Sequence, residues 1–191
     1  MIPASDCAGR LVYVMGPSGA GKDTLIAYAR ERVDPARIVF AHRYITRAAD
    51  AGGENHVALS ETEFRGRQAA GLFALSWESH GFLYGIGVEI ELWQARGHVV
   101  VVSGARAAWL QATARFPHVI GIVVDAPVTL RAERLAQRGR ENESAIRERL
   151  ERDVELPLDE NVRRLDNIGS IASAGEALIR IIEKTLAPSR Y

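Results

Sequence analysis

The sequence predicts an α/β fold in which helices flank a parallel sheet, and three observations lead to this prediction. An apolar run at residues 11–15 passes through a glycine-rich loop into a helical pattern. From residue 98 onward, strand-like and helix-like segments alternate, as a parallel sheet with helical crossovers requires. Between these parts, residues 42–96 consist of short strand-like pieces interrupted by glycines and polar residues, which predicts a small α+β insertion.

Composition narrows the class of protein before any motif is considered. The chain has 191 residues, 47% of them hydrophobic and 25% charged, which is typical of a single soluble globular domain. Its 24 basic and 24 acidic residues balance, so charge suggests neither nucleic acid nor a membrane as a partner. Cys7 is the single cysteine, which excludes an internal disulfide and favours a cytoplasmic location. We expect no secretory signal and no transmembrane segment, and the oligomeric state stays open.

The glycine-rich loop after the first strand predicts a phosphate-binding site. Its glycines allow successive backbone N–H groups to converge, and the following helix adds unpaired N–H groups and the positive end of its dipole. Lys22 can reach the terminal phosphates of a nucleoside triphosphate. We therefore expect the loop to bind ATP through Gly16, Ser18, Gly19, Ala20, Gly21, Lys22, Asp23 and Thr24.

Asp23 departs from the usual loop pattern, in which the lysine is followed by a serine or threonine whose hydroxyl helps to hold Mg²⁺. A carboxylate beside a bound triphosphate repels it unless a metal ion lies between them. Asp23 is therefore either a ligand of Mg²⁺ or an acid in the first helical turn without a chemical role.

The remaining elements follow from periodicity and turn signals. A capping box at Ser60 and Glu63 predicts the start of a helix that ends at Ala69, and a second one at Ser173 and Glu176 predicts the start of the last helix. The other predicted helices cover residues 22–33, 88–95, 105–115 and 127–137, with one more around Ile146, Leu150 and Val154. The predicted strands after the first cover residues 37–41, 72–77, 82–86, 98–102, 119–124 and 162–166.

Arginines form a second group of candidate residues after the strand at 119–124. Arg131, Arg134 and Arg138 are three and four residues apart and share a helix face, and Arg140 and Arg149 follow. Positioned cations stabilise the charge on a transferring phosphoryl group. The glutamates between them leave the alternative of a solvated, paired surface. Because the glycine-rich loop is present, we expect at least one of Arg134, Arg138 and Arg149 to contact ATP.

The chain resembles the guanylate kinases over almost its whole length. The motifs that carry the resemblance are the glycine-rich loop, Tyr44-Ile45-Thr46-Arg47, the segment from Gly71 to Gly85, and the stretch from Arg134 to Leu150. The resemblance implies a P-loop kinase with a core at 1–41 and 97–191, an acceptor-binding insertion at about 42–96 and an arginine-rich lid at about 138–156.

Roles for individual residues also follow from this resemblance. Arg47 and Tyr84 match residues that hold the acceptor phosphate in guanylate kinases, while Arg134, Arg138 and Arg149 match lid arginines that close on ATP. The implied catalytic residues are Lys22, Arg138 and Arg149, and the implied cofactor is Mg²⁺ with ATP as co-substrate.

The departures from the guanylate kinases concern the acceptor. Ser76 replaces a glutamate that reads the guanine edge, and Arg43 replaces a serine that also contacts guanine. His56 and Ile86 replace two further hydroxyl-bearing residues. A site that has lost these hydrogen-bonding groups loses affinity for the base. With Arg43 as an added cation, the pattern predicts an acceptor that has no base and more than one phosphate.

One family related to the guanylate kinases fits these departures, the ribose 1,5-bisphosphate phosphokinases of phosphonate breakdown. The chain is similar to them in Gly21-Lys22-Asp23, in residues 43–47, 54–56 and 74–77, and in Arg138-Gly139-Arg140-Glu141. This resemblance implies transfer of the ATP γ-phosphoryl group to the 1-phosphate of ribose 1,5-bisphosphate, which gives 5-phosphoribosyl 1-diphosphate. Two alternatives remain: a nucleoside-monophosphate kinase with an altered base pocket, and a non-catalytic guanylate-kinase-like binding module.

Three positions complete the set of candidates. His56 is predicted either to contact the acceptor or to be a structural histidine, and Arg106 either to face the acceptor or to be an exposed helix residue. Related kinases often carry an acidic residue near the metal in the segment that corresponds to residues 101–104, and here that segment is Val-Val-Ser-Gly. We therefore expect Asp23 to supply the carboxylate for Mg²⁺.

Overall fold

The computed structural model describes residues 9–49, 56–137 and 161–186, and within these ranges it contains nine strands and six α-helices. The predictions for Cys7, Arg138, Arg140 and Arg149, and for the helix around Ile146, lie outside the described residues.

The bounds of the elements agree with most of the predicted segments. The strands are β1 Leu11–Met15, β2 Ile38–Phe40, β3 Tyr44–Ile45, β4 Val57–Ala58, β5 Phe73–Ser79, β6 Phe82–Gly87, β7 Val99–Ser103, β8 Ile120–Asp125 and β9 Val162–Asp166. The α-helices are α1 Lys22–Arg30, α2 Glu61–Ala69, α3 Glu89–Ala95, α4 Trp109–Arg115, α5 Val128–Gln137 and α6 Ile171–Glu183.

The larger sheet has five parallel strands in the order β2-β7-β1-β8-β9, which confirms the predicted parallel architecture. Every residue of β1 and of β7 is buried, as expected for continuous apolar strands that are covered on both faces. Because β2, β7 and β1 are neighbours and parallel, the three loops that leave their carboxyl ends lie side by side. This edge of the sheet is where ligands bind in open α/β folds.

Two cores form because side chains alternate between the faces of the central strands. Val12 and Val14 of β1 pack with α1 and α6 on one face, for example against Leu25 and Leu178. Tyr13 and its neighbours on the other face pack with α4 and with the second sheet. The second sheet therefore rests on the main sheet through apolar side chains.

The smaller sheet has four strands in the order β4-β3-β6-β5, all from the segment of residues 44–87. Strands β5 and β6 are antiparallel and turn at His80 and Gly81, whose φ angles are 52° and 75°. Both strands of this hairpin were predicted, at 72–77 and 82–86. Strands β3 and β4 were not predicted, because they have two residues each and are defined by pairing rather than by pattern.

Several predicted boundaries are corrected by the structure. Helix α1 ends at Arg30 instead of residue 33, and the predicted helix at 105–115 divides into a 3-10 turn at Arg106–Ala108 and α4. The capping residue of α6 is Ser170, whose hydroxyl accepts a hydrogen bond from the Ser173 N–H at 3.1 Å. The predicted capping box at Ser173 and Glu176 is therefore wrong.

The capping residue predicted for α2 is confirmed, since the Ser60 hydroxyl accepts a hydrogen bond from the Glu63 N–H. Across residues 9–49, 56–137 and 161–186, no helix is long and apolar enough to cross a membrane.

Candidate active site

The phosphate loop connects β1 to α1 and depends on glycine at two positions. Gly19 and Gly21 have φ angles of 80° and 87°, a region that residues with a side chain rarely adopt. A Cβ atom at Gly19 would lie 2.6 Å from the Arg131 carbonyl oxygen, and one at Gly21 would overlap the side-chain amide of Asn167. The loop thus needs glycine both for its curvature and for the close approach of its neighbours.

Three side chains from later in the chain hold this loop by its carbonyl groups. The Asn167 amide donates to the Ala20 carbonyl at 2.8 Å, and the Arg131 Nε donates to the Ser18 carbonyl at 3.0 Å. Arg134 donates to the Ala20 and Asn167 carbonyls at 3.3 and 3.0 Å. One loop N–H is also used within the loop, since that of Ala20 donates to the Pro17 carbonyl at 3.2 Å. With the Ser18 and Ala20 carbonyls turned toward these side chains, other N–H groups of the loop can converge on a ligand.

Lys22 and Asp23 begin α1 and meet the end of β7. The Lys22 ammonium donates to Asp23 Oδ1 at 2.7 Å and to the Ser103 hydroxyl at 2.9 Å. The Ser103 hydroxyl also lies 3.1 Å from the same Asp23 oxygen and donates to it. The predicted phosphate-binding lysine is therefore held by its neighbouring carboxylate and by a residue 81 positions later in the chain.

Arg43 joins this cluster from the loop that precedes β3. Its Nη2 atom lies 3.4 Å from Asp23 Oδ1, and the residue is only 8% exposed. Burial alone would raise the pKa of Asp23, but the charges of Lys22 and Arg43 and the hydrogen bonds from Lys22 and Ser103 hold it well below the usual range. Asp23 is therefore ionised at neutral pH and carries the negative charge of the cluster.

Aromatic rings extend the cluster into the smaller sheet. The Arg43 guanidinium carbon lies 5.5 Å from the centroid of the Tyr84 ring. Tyr84 in turn stacks on Trp77, its partner across the hairpin, with ring centroids 5.5 Å apart and ring planes 3° from parallel. Arg43 and Tyr84, both predicted to contact the acceptor, thus lie together.

Two other predicted acceptor residues, His56 and Arg106, lie on different segments of the chain and have different surroundings. His56 Nε2 donates to the Arg47 carbonyl at 3.1 Å, so the imidazole fixes the backbone of another predicted site residue. Arg106 opens the 3-10 turn after β7, and this turn is anchored by a 2.9 Å hydrogen bond from the Tyr13 hydroxyl to the Ala105 carbonyl.

Ser76 faces away from Tyr84. Tyr84 is paired with Trp77, and because side chains alternate along a strand, the preceding residue projects from the opposite face. The Ser76 hydroxyl accepts a hydrogen bond from the Gln68 amide of α2 at 3.0 Å. The structure therefore separates Ser76 from the group formed by Arg43 and Tyr84.

Three further residues predicted to bind ATP differ in exposure and contacts. Thr24 is exposed on α1, whereas Ala20 is a fully buried residue of the loop. Arg134, predicted to contact ATP, lies against the loop carbonyls.

The sequence did not identify Ser103 or Asn167 as site residues, and it placed Arg131 in the arginine group without predicting a contact with the phosphate loop. Each one reaches the phosphate loop from a distant part of the chain, and Arg131 is only 2% exposed despite its charge. A polar residue at the end of an apolar strand, such as Ser103, is the one signal that could have identified them, since strand ends meet at the ligand-binding edge.

Comparison with known proteins identifies the family to which the chain is similar. The profile of the AAA domain family matches residues 12–156. The chain is 53% identical over 178 residues to the ribose 1,5-bisphosphate phosphokinase PhnN of Burkholderia pseudomallei, covering 92% of this chain and 96% of that protein. It is 51% identical over 186 residues to the protein of the same name from Desulfomicrobium baculatum, covering 95% and 98%.

Two solved structures share the fold at low sequence identity. Guanylate kinase from Anaplasma phagocytophilum superposes with a TM-score of 0.65 at 17% identity, covering 96% of this chain and 89% of that one. An unliganded sugar kinase from Janibacter superposes with a TM-score of 0.55 at 20% identity, covering 94% and 99%. These similarities support the guanylate-kinase-like fold.

Proposed function

The chain belongs to the family of ribose 1,5-bisphosphate phosphokinases, and from this membership we propose that it phosphorylates ribose 1,5-bisphosphate with ATP. The products are 5-phosphoribosyl 1-diphosphate and ADP, and the reaction belongs to phosphonate metabolism. In this reaction an oxygen of the 1-phosphate forms a bond to the γ-phosphorus, and the bond from that phosphorus to the β–γ bridging oxygen breaks.

One observation carries this proposal. The cation predicted to bind the phosphoryl donor and a cation predicted to bind the acceptor contact the same carboxylate. Lys22 belongs to the phosphate loop, and Arg43 belongs to the segment that enters the smaller sheet, yet both contact Asp23 Oδ1. A phosphoryl donor bound at the loop and an anionic acceptor bound near Arg43 would therefore be neighbours. Proximity of this kind is a large part of catalysis in phosphoryl transfer.

The acceptor site we propose is built for phosphate groups. Arg43, Arg47 and Tyr84 supply cations and a hydroxyl, with His56 and Arg106 as further candidates. Ser76 remains a candidate from the sequence, although its hydroxyl is engaged by Gln68. A serine at this position lacks the reach and the charge with which a glutamate reads a base, so the site favours a sugar bisphosphate over a nucleotide.

The mechanism requires little proton transfer. A phosphate monoester has a second pKa of about 6, so the acceptor oxygen is already largely ionised at neutral pH. The chain must instead bring two anions together, with Lys22 and Arg134 at the donor and Arg43 and Arg47 at the acceptor. The resemblance to guanylate kinases adds Arg138 and Arg149 of the lid, with Lys22, as catalytic residues.

The residues at the loop fit a magnesium ion bound together with ATP. The hydrogen bonds of the Asp23 carboxylate within the described residues all use Oδ1, so Oδ2 is the oxygen that could bind another ligand. The described residues contain no group of three or more acidic, histidine or cysteine side chains that could hold a metal alone. One carboxylate together with substrate phosphates and waters is a usual environment for Mg²⁺, which would neutralise donor charge when bound.

The test is ADP release by the purified protein with ATP and Mg²⁺, comparing ribose 1,5-bisphosphate with GMP as acceptors. We expect turnover with the sugar bisphosphate and little with GMP. Turnover with GMP instead would support the nucleoside-monophosphate kinase. Absence of ATP binding would support the non-catalytic module, which has no need of Lys22 or the lid arginines.

The proposal also covers the domain organisation of the chain, its location and its partners. We propose one guanylate-kinase-like domain across residues 1–191, with a core at 1–41 and 97–191, an acceptor-binding insertion at about 42–96 and a lid at about 138–156. The four strands of the smaller sheet are consecutive in the chain and lie between β2 and β7 of the larger sheet, which supports this division. A cytoplasmic location, without a nucleic acid or membrane partner, is proposed from the single cysteine and the balanced charge.

A further inference from the structure

Asp23 contacts residues from both parts of the candidate site, the phosphate loop and the segment that enters the smaller sheet. Its Oδ1 atom accepts from Lys22 at 2.7 Å and from Ser103 at 3.1 Å, and it lies 3.4 Å from Arg43. The Asp23 side chain keeps 33% of its exposure, whereas those of Lys22 and Arg43 keep 13% and 9%. The carboxylate is therefore more exposed to solvent than the two cations with which it pairs.

This arrangement makes the carboxylate a competitor of any phosphate that binds. A cation already paired with a carboxylate gains less from a second anion than an unpaired cation does, because it must share or give up the first partner. Lys22 is the residue predicted to reach the donor phosphates, and Arg43 the one predicted to reach the acceptor. Asp23 thus opposes both ligands through charge.

Asp23 no longer opposes the binding of phosphate when a positive charge compensates its carboxylate. Loss of the Lys22 contact alone does not achieve this, since Asp23 would then attract Arg43 more strongly. A divalent cation that arrives with the triphosphate does achieve it, and the hydrogen bonds of the Asp23 carboxylate within the described residues all use Oδ1. Asp23 then competes less strongly with phosphate for Lys22 and Arg43.

We propose that Asp23 makes binding at both sites conditional on the metal-bound donor. Its carboxylate competes with metal-free triphosphate for Lys22 and with the acceptor for Arg43. This competition weakens when a divalent cation compensates the charge of the carboxylate. The inference rests on the proposed function and deepens it: Asp23 is a positioning residue that favours binding of the donor before the acceptor. An acceptor held without a donor would occupy the site unproductively, and this charge arrangement disfavours that complex.

The experiment is calorimetric titration of the wild type and Asp23→Asn with two ligands. Metal-free ATP, in the presence of EDTA, should bind Asp23→Asn about two- to fivefold more tightly, the range expected for a partly exposed ion pair. Ribose 1,5-bisphosphate should also bind the nucleotide-free variant more tightly. In the wild type, a non-hydrolysable ATP analogue with Mg²⁺ should raise the affinity for the bisphosphate, and this gain should shrink in Asp23→Asn.

Two further variants separate charge from structure. Ser103→Ala keeps the carboxylate and should retain the wild-type preference for the metal-bound donor, whereas a purely structural network would make it behave like Asp23→Asn. Glu133→Gln removes the same charge from an exposed position on α5 and should bind both ligands like the wild type.

Each outcome distinguishes this inference from the proposed function. Equal or weaker binding of metal-free ATP by Asp23→Asn would overturn the role of Asp23, whatever the acceptor. Failure of ribose 1,5-bisphosphate to bind the wild type with or without the ATP analogue would overturn the proposed acceptor, while the ATP titration would still decide the role of Asp23.

Discussion

The side-chain amide of Asn167 donates a 2.8 Å hydrogen bond to the backbone carbonyl of Ala20, which ties the end of β9 to the phosphate loop. Asn167 is 3% exposed, and its own backbone is held on both sides, since its N–H donates to Asp125 and its carbonyl accepts from Arg134. The shape of the loop is thus set partly by a residue that lies outside it, close to the last helix.

Replacement of Asn167 by aspartate should damage the loop although the shape of the side chain hardly changes. An aspartate oxygen would face the Ala20 carbonyl oxygen without a proton between them, so a buried hydrogen bond becomes a repulsion. We expect a loss of about 1–3 kcal/mol in the free energy of unfolding and a higher Kd for ATP. Denaturant unfolding and calorimetry measure the two effects. The exposed Asn161→Asp is the matched control and should leave ATP binding unchanged.

Gly21→Ala should abolish ATP binding more completely than it destabilises the fold. The φ angle of Gly21 is 87°, and a Cβ atom there would overlap the Asn167 amide, so the loop must change shape to accept a methyl group. Gly66→Ala in α2 is the control, because a Cβ atom there meets nothing within 4 Å. That control should gain about 0.5–1 kcal/mol from helix propensity and bind ATP normally. Normal ATP affinity in Gly21→Ala would contradict the assigned loop.

Arg43→Gln and Tyr84→Phe should raise KM for ribose 1,5-bisphosphate with little change in KM for ATP. The two side chains lie against each other, 5.5 Å from guanidinium carbon to ring centroid, on the face opposite to Ser76. Ser76→Ala should have a much smaller effect, because its hydroxyl accepts from Gln68. Steady-state kinetics of the three variants test this order. A larger effect of Ser76→Ala would show that the acceptor binds the other face of the hairpin.

Alkaline pH should destabilise the protein through Tyr13. Burial raises the pKa of this fully buried phenol above its ordinary value, although the charge of Arg43 acts in the opposite direction. Because the folded-state pKa is raised, the contribution of Tyr13 to stability is complete below pH 10 or so and is lost as pH rises further.

The variant Tyr13→Phe isolates this effect. Near neutral pH it should be about 1 kcal/mol less stable than the wild type, because the hydrogen bond to Ala105 is lost. Above about pH 10 the difference should narrow by up to about 1.4 kcal/mol per pH unit, since phenylalanine has no proton to lose in the unfolded state. Urea unfolding at neutral and alkaline pH measures it. A difference that stays constant with pH would contradict the raised pKa.

The sequence determined the features of this protein that depend on neighbouring residues. The order of strand, glycine-rich loop and helix depends only on residues that are adjacent in the chain. The loop and Lys22 could therefore be predicted from residues 11–24 alone. Strand β9 was predicted at its observed bounds, residues 162–166. Asp23 was singled out by its departure from a spaced motif, and Arg43 by its departure from the pattern of a known family.

Only the tertiary structure decided which of these residues meet. Ser103 contacts Lys22 because β7 happens to be the neighbour of β1 in the sheet, and Asn167 contacts Ala20 because β9 ends at the same edge. Strand order is a long-range property that no local pattern encodes. Likewise, the face on which Ser76 lies follows from its pairing across the hairpin, since a shift of one residue in strand register moves every side chain to the other face.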